Sequence, residues 1–127
     1  MPKLTEAGHA AEAVIFEEDR DFSRDTVTIL SGENLKANAI IAKLTASGKY
    51  VEWDPSQSAE ADGSTTAAGM LIDAVDASAA DKDGAAIVRH AVLRRSELVF
   101  AAGAQESEIT VALATLAGLG IQVRSGA

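Results

Sequence analysis

Residues 47–54 read Ser-Gly-Lys-Tyr-Val-Glu-Trp-Asp. Residues 55–66 read Pro-Ser-Gln-Ser-Ala-Glu-Ala-Asp-Gly-Ser-Thr-Thr, and residues 67–76 read Ala-Ala-Gly-Met-Leu-Ile-Asp-Ala-Val-Asp. The first piece is a turn followed by an alternating strand. Gly48 supplies the turn, and Tyr50, Val51 and Trp53 are interleaved with Lys49, Glu52 and Asp54. Pro55 ends the strand because it has no ladder donor. The second piece is acidic and built of small residues, which predicts an exposed loop. The third opens on Ala67, Ala68 and Gly69 before Met70, Leu71 and Ile72. A strand entered through Ala-Ala-Gly lets another backbone approach closely.

Working outward, short apolar runs separated by turn signals predict further strands at 27–30, 40–44, 50–53, 68–75, 86–93 and 98–100. Gly32, Gly48, Asp54-Pro55 and Asp83-Gly84 punctuate them. One helix is predicted, from Gln105 to about Ala117. Ile109, Leu113 and Leu116 recur on one face, Glu106 and Glu108 favour the positive end of the helix dipole, and Gly118 and Gly120 are stop signals. Residues 121–123 return as a strand or an extended tail. The fold class is mainly β (α+β), with one main helix near the C-terminus.

The first 25 residues differ from the rest. Thr5 to Ala13 is small and polar, and residues 17–21 form a charge run. Between them lies the apolar island Val14-Ile15-Phe16. Such a segment buries too little surface to order itself, which predicts a flexible N-terminal arm over 1–25. The island either packs on its own domain or adds as a strand to a partner's sheet.

The chain has 127 residues, enough for one domain and a modest core. Aromatics are scarce, so assembly would add needed burial. The formal charge of -8 opposes direct contact with nucleic acid or an anionic membrane, because phosphate contacts need clustered Lys and Arg. There is no cysteine, hence no disulfide or thiolate metal site. The first residues lack the apolar stretch of a signal peptide, and no run reaches the roughly 20 residues that span a bilayer.

Catalytic signatures are sparse. His9 and His90 belong to no spaced ligand set. Asp73, Asp76, Asp81 and Asp83 are the densest carboxylates, but they lack the spacing and closing Glu of a calcium loop and read as a solvated loop. No Gly-x-Ser-x-Gly or phosphate-cradling glycine loop is present. Arg94-Arg95 is the one doubled basic site, either a solvated turn or a contact for an acidic partner. Trp53 reads as a core residue or an interface anchor. The expectation is a protein without enzymatic activity, cofactor or metal.

The pairing of Lys-Tyr-Val-Glu-Trp-Asp at 49–54 with Ala-Ala-Gly-Met-Leu at 67–71 resembles the bacteriophage head decoration protein D family, of the lambda type. The likeness extends over residues 24–124. It takes in Arg24 to Ile29, Leu35-Lys36-Ala37, Ala86 to Arg89, Ser96 to Phe100 and Gly120 to Arg124. Where related chains carry a tryptophan, this one has Phe100, which keeps the ring bulk without the indole donor. The resemblance implies an arm over 1–25 and a head decoration domain over 26–127. It implies a homotrimer on the outside of the expanded capsid, bound to the major capsid protein, reached from the host cytoplasm and holding the shell against DNA pressure. Val14, Ile15, Phe16, Val27 and Ile29 are the expected capsid-binding arm. Trp53, Met70, Leu71, Ile109, Leu113 and Leu116 are the expected core or subunit-interface residues. Two other readings stay open: a prophage-derived binding or adaptor module of the same fold, and a small hydrolase using the 73–83 carboxylates.

Overall fold

A computed structural model describes residues 13–17, 23–55 and 63–125. His9, the rest of the expected arm at 1–12 and 18–22, and most of the acidic loop at 56–62 lie outside the described residues.

The strands are β1 (Val14–Glu17), β2 (Arg24–Ile29), β3 (Asn34–Leu35), β4 (Ile40–Lys43), β5 (Tyr50–Glu52), β6 (Ala67–Leu71), β7 (Val75–Asp76), β8 (Lys82–Ile87), β9 (Ala91–Arg94) and β10 (Ile121–Arg124). The α-helix α1 (Glu106–Gly118) precedes β10, and a short 3-10 turn covers Arg95–Glu97. Among the described residues the domain is mainly β, with a helix near its C-terminus.

Five strands close into a barrel in the order β2-β5-β4-β6-β8. Its longest ladder runs antiparallel between β2 and β8, from Arg24 opposite Ile87 to Ile29 opposite Lys82. The parallel β2–β5 seam closes it at Ile29 and Tyr50, where Leu30 N–H donates to the Tyr50 carbonyl at 2.9 Å. Outside the barrel, β1, β9 and β10 form a three-stranded sheet with β9 in the middle. The short β3 and β7 pair with each other.

Strand alternation sends neighbouring residues into two separate cores. Val27, Ile29, Ile41, Leu71 and Ala86 fill the barrel. Ile40, Met70 and Ile87, each adjacent in sequence to one of these, point out of it. They meet Trp53, Leu93, Ile109, Leu116 and Ile121 in a second layer beneath the helix and the outer sheet. Both faces of β4 and β6 are thus covered, which is why these strands read as continuous apolar runs. Gly69 serves the close approach that its sequence predicts. A Cβ there would intrude on the Ile87 carbonyl oxygen across the β6–β8 seam.

Several expected boundaries change. The run 68–75 is two strands, because the chain leaves β6 after Leu71 and re-enters pairing at Val75. The run 86–93 breaks at His90, whose φ of 45° turns the chain from the barrel into the outer sheet. The predicted strand at 98–100 is a lone parallel bridge from Val99 to Ala39. The helix spans 106–118, started by Glu108, whose carboxylate accepts the Gln105 N–H at 2.8 Å. It ends where Gly120, at φ 83°, folds back over the His90 ring, leaving no room for a side chain.

Val27 and Ile29, expected in the capsid-binding arm, are buried in the barrel, in a strand paired along its whole length with β8. The expected arm boundary at residue 25 also falls inside β2.

Candidate functional site

The apolar island of the N-terminal segment lies on its own domain. As β1 it runs antiparallel to β9, with Val14 opposite Leu93 and Phe16 opposite Val92, and a bulge at Ile15. The bulge turns Ile15 outward while Val14 packs on the core. Three further contacts fix the strand. Arg94 N–H donates to the Ala13 carbonyl at 2.6 Å, and the buried Asn38 side chain accepts the Ala13 N–H at 3.4 Å. Glu17 receives two hydrogen bonds from Arg24, at 2.7 and 2.9 Å. That carboxylate raises the guanidinium's pKa despite its partial burial. Ser23, fully buried, closes the return into β2 by donating to the His90 carbonyl at 2.8 Å.

The register of the outer sheet decides which side chains share its solvent face. Ala91 and Leu93 of β9 are buried, as is Ile121 opposite Ala91, so this set points inward. The alternate residues point outward: Phe16 beside Val92, Val92 beside Gln122, and Arg94 beside Arg124. Phe16 is 56 % exposed, a large apolar surface at the sheet margin. The other edge of β1 carries no strand among the described residues. An exposed edge next to exposed aromatic bulk is a template for adding a strand from another chain.

A second surface lies beside α1. A cleft of about 310 Å³ is lined by Trp53, Pro55, Thr65, Glu108, Val111 and Thr115, among others. Val111 stands at the cleft, 66 % exposed. Trp53 itself is 2 % exposed, with the Phe100 ring edge-on to it at 6.1 Å between centroids, so the phenyl takes up the packing of this position. Met70, Leu71, Ile109 and Leu116 are likewise buried. Leu113 is half-buried at the margin of the helix's inner face, whose centre is the buried Ala112.

The acidic cluster does not converge on one point. Asp76 accepts from Ser78, Asp81 from Lys49 and the Ser31 N–H, and Asp83 from Thr28. These bonds hold Asp76 and Asp81 below the usual carboxylate range. Asp76 thus closes a local turn, while Asp81 and Asp83 tie together segments distant in sequence. The Arg94-Arg95 pair also separates: Arg95 turns into the 3-10 segment and meets Glu106 at 2.8 Å, while Arg94 ends β9. Sequence reasoning did not single out Arg124, Val92 or Asn38. A lone Asn in the apolar stretch 35–44 was the available signal for Asn38, which adopts a left-handed φ of 69°.

A comparison with curated proteins finds no match to the chain. The family model described as bacteriophage lambda head decoration protein D matches residues 3–121, from within the N-terminal segment to the start of β10. The matched span covers the barrel, the helix and the edge strand together, and the chain belongs to the bacteriophage lambda head decoration protein D family, as a phage head protein of the virion capsid.

Proposed function

We propose that this protein binds the outer surface of the expanded phage head as a homotrimer and cements the major capsid protein against the pressure of packaged DNA. The role is structural, with no reaction catalysed, and the protein joins the head from the host cytoplasm. The observation that carries the reading is the edge of β1, which pairs with no further strand among the described residues, with the exposed Phe16 beside it, in a member of a head decoration family. A capsid segment adding to that edge gains main-chain hydrogen bonds, and Ile15 and Phe16 supply apolar burial. Val14 serves by holding the strand to the core.

Trimer formation is supported by the apolar surface at Val111 and its cleft, since a three-fold contact joins two different patches on each subunit. Three edge strands on one trimer turn individually weak contacts into durable attachment through effective concentration. Co-sedimentation with purified heads tests the reading. The protein should pellet with expanded heads and stay in solution with unexpanded ones, and Phe16→Asp should weaken pelleting. A wild-type protein that ignores expanded heads would overturn it.

A further inference from the structure

We infer that Arg24 is a positioning residue for capsid binding, locking the register of β1 so that Phe16 faces the partner. The inference rests on the capsid-binding reading and names what holds that surface in place. β1 has only four residues, and its bulge divides them. Val14 stands opposite Leu93 before the bulge, and Phe16 and Glu17 stand opposite Val92 and Ala91 after it. Glu17 shares the inward side with the buried Ala91, while Phe16 points to solvent. A one-residue slip exchanges the inward and outward side chains of a strand. Here it would turn Phe16 toward the body and Glu17 toward the partner.

Because the bulge uncouples the two halves, each needs its own anchor. The first half has the Arg94 N–H and the Asn38 side chain, both on Ala13. The half that carries Phe16 has Glu17, and the guanidinium that holds it belongs to the barrel. Arg24 opens β2 and stands opposite Ile87 in the β2–β8 ladder, so its backbone is fixed independently of β1. Its Nε donates to Glu17 Oε2 at 2.7 Å and its Nη2 to Oε1 at 2.9 Å. Such a fork fixes direction as well as distance, which a single ammonium contact does not. The pair is also largely shielded from water, with side chains 22 % and 16 % exposed. It therefore constrains the chain more than the exposed Arg89–Asp25 and Lys49–Asp81 pairs do. A strand edge held in its binding geometry before contact spares the complex the cost of ordering it.

The test joins nuclear magnetic resonance to head binding, on the full chain and its variants R24Q, E17A and R24Q/E17A. In nuclear Overhauser spectra, R24Q should lose the backbone contacts between Phe16 and Val92. It should keep those between Val14 and Leu93 and those along β2–β8. Binding to expanded heads lacking decoration protein should weaken roughly five-fold, because only molecules in the right register bind. E17A should weaken it to a similar extent and the double variant no further, since either change opens the same fork. K43Q removes one positive charge from β4 and should match the wild type. Intact Phe16–Val92 contacts in R24Q would overturn the lock, and so would their loss with undiminished head binding. Losses that multiply in the double variant would also overturn it, by showing that each side chain meets the capsid directly. An equal loss in K43Q would do the same, by showing that only total charge matters. Should R24Q not fold, E17A, which leaves every barrel side chain in place, carries the same comparison. No binding of the wild type to heads would remove the capsid reading, and this role with it, even where the spectra show the register locked.

Discussion

The indole N–H of Trp53 donates to the carbonyl oxygen of Thr65 at 3.0 Å. Asp54 N–H donates to Ser64 O at 2.9 Å, so the two ends of the 56–62 loop are joined at a buried tryptophan. Trp53→Ala should cost about 3–5 kcal/mol through the cavity it leaves. Trp53→Phe should cost about 1–3 kcal/mol, mainly because the Thr65 carbonyl loses its partner. Thermal unfolding of both variants measures this. A near-native Tm for Trp53→Ala, with head binding lost, would make the residue an interface anchor instead.

The helix gives an internal contrast. Leu116 is fully buried and Val111 largely exposed, five residues apart on one element. Leu116→Ala should lower stability by about 2–5 kcal/mol. Val111→Asp should stay within about 0.5 kcal/mol of the parent as a monomer, because it is a surface change. If Val111 lies in the trimer contact, the same variant should shift sedimentation toward the monomer.

Much of this architecture could be read from the sequence. The Tyr50–Trp53 strand, the small-residue entry to β6 and the helix near 105–117 all stand where turn chemistry and periodicity put them. What escaped has physical reasons. His90 breaks a run of apolar residues with a left-handed φ that histidine seldom adopts, so β8 and β9 read as one strand. Ala112 occupies the centre of the helix's inner face, but alanine is equally at home in water, and Leu113 drew the assignment. Val27 and Ile29 look alike on an arm or in a barrel, and only the distant pairing with β8 distinguishes the two. The outer sheet face draws Phe16, Arg94 and Arg124 from three separate parts of the chain, and no local pattern brings them together.

Removing residues 1–17 should destabilise the domain, because it uncovers the β9 edge and the core under Ala13 and Val14. A loss of about 1–3 kcal/mol is expected. Phe16→Asp should leave the Tm nearly unchanged while weakening head binding. Denaturant melts of the two proteins separate these roles of β1. Unaltered stability in the truncated protein would show that β1 contributes nothing to the body.

Glu52 offers a test by pH. Burial, reinforced by Glu33 and Asp54, raises its carboxyl pKa above the ordinary value. The folded state then binds the proton more tightly than the unfolded state, so this group weakens the fold above its folded pKa. That penalty is relieved as pH falls through the folded pKa toward the unfolded one. Glu52→Gln should accordingly raise the Tm at neutral pH and flatten its rise on mild acidification. An unchanged Tm-against-pH profile in the variant would contradict the electrostatic assignment.

A protein that cements the outside of the expanded head, as proposed, must be visible there. The decisive measurement is a single-particle reconstruction of expanded heads, purified without decoration protein and then incubated with it. Three copies are expected around each local three-fold position on the outer surface, with β1 against a strand of the major capsid protein. Reconstructed heads with a bare outer surface after saturating incubation would contradict the proposal.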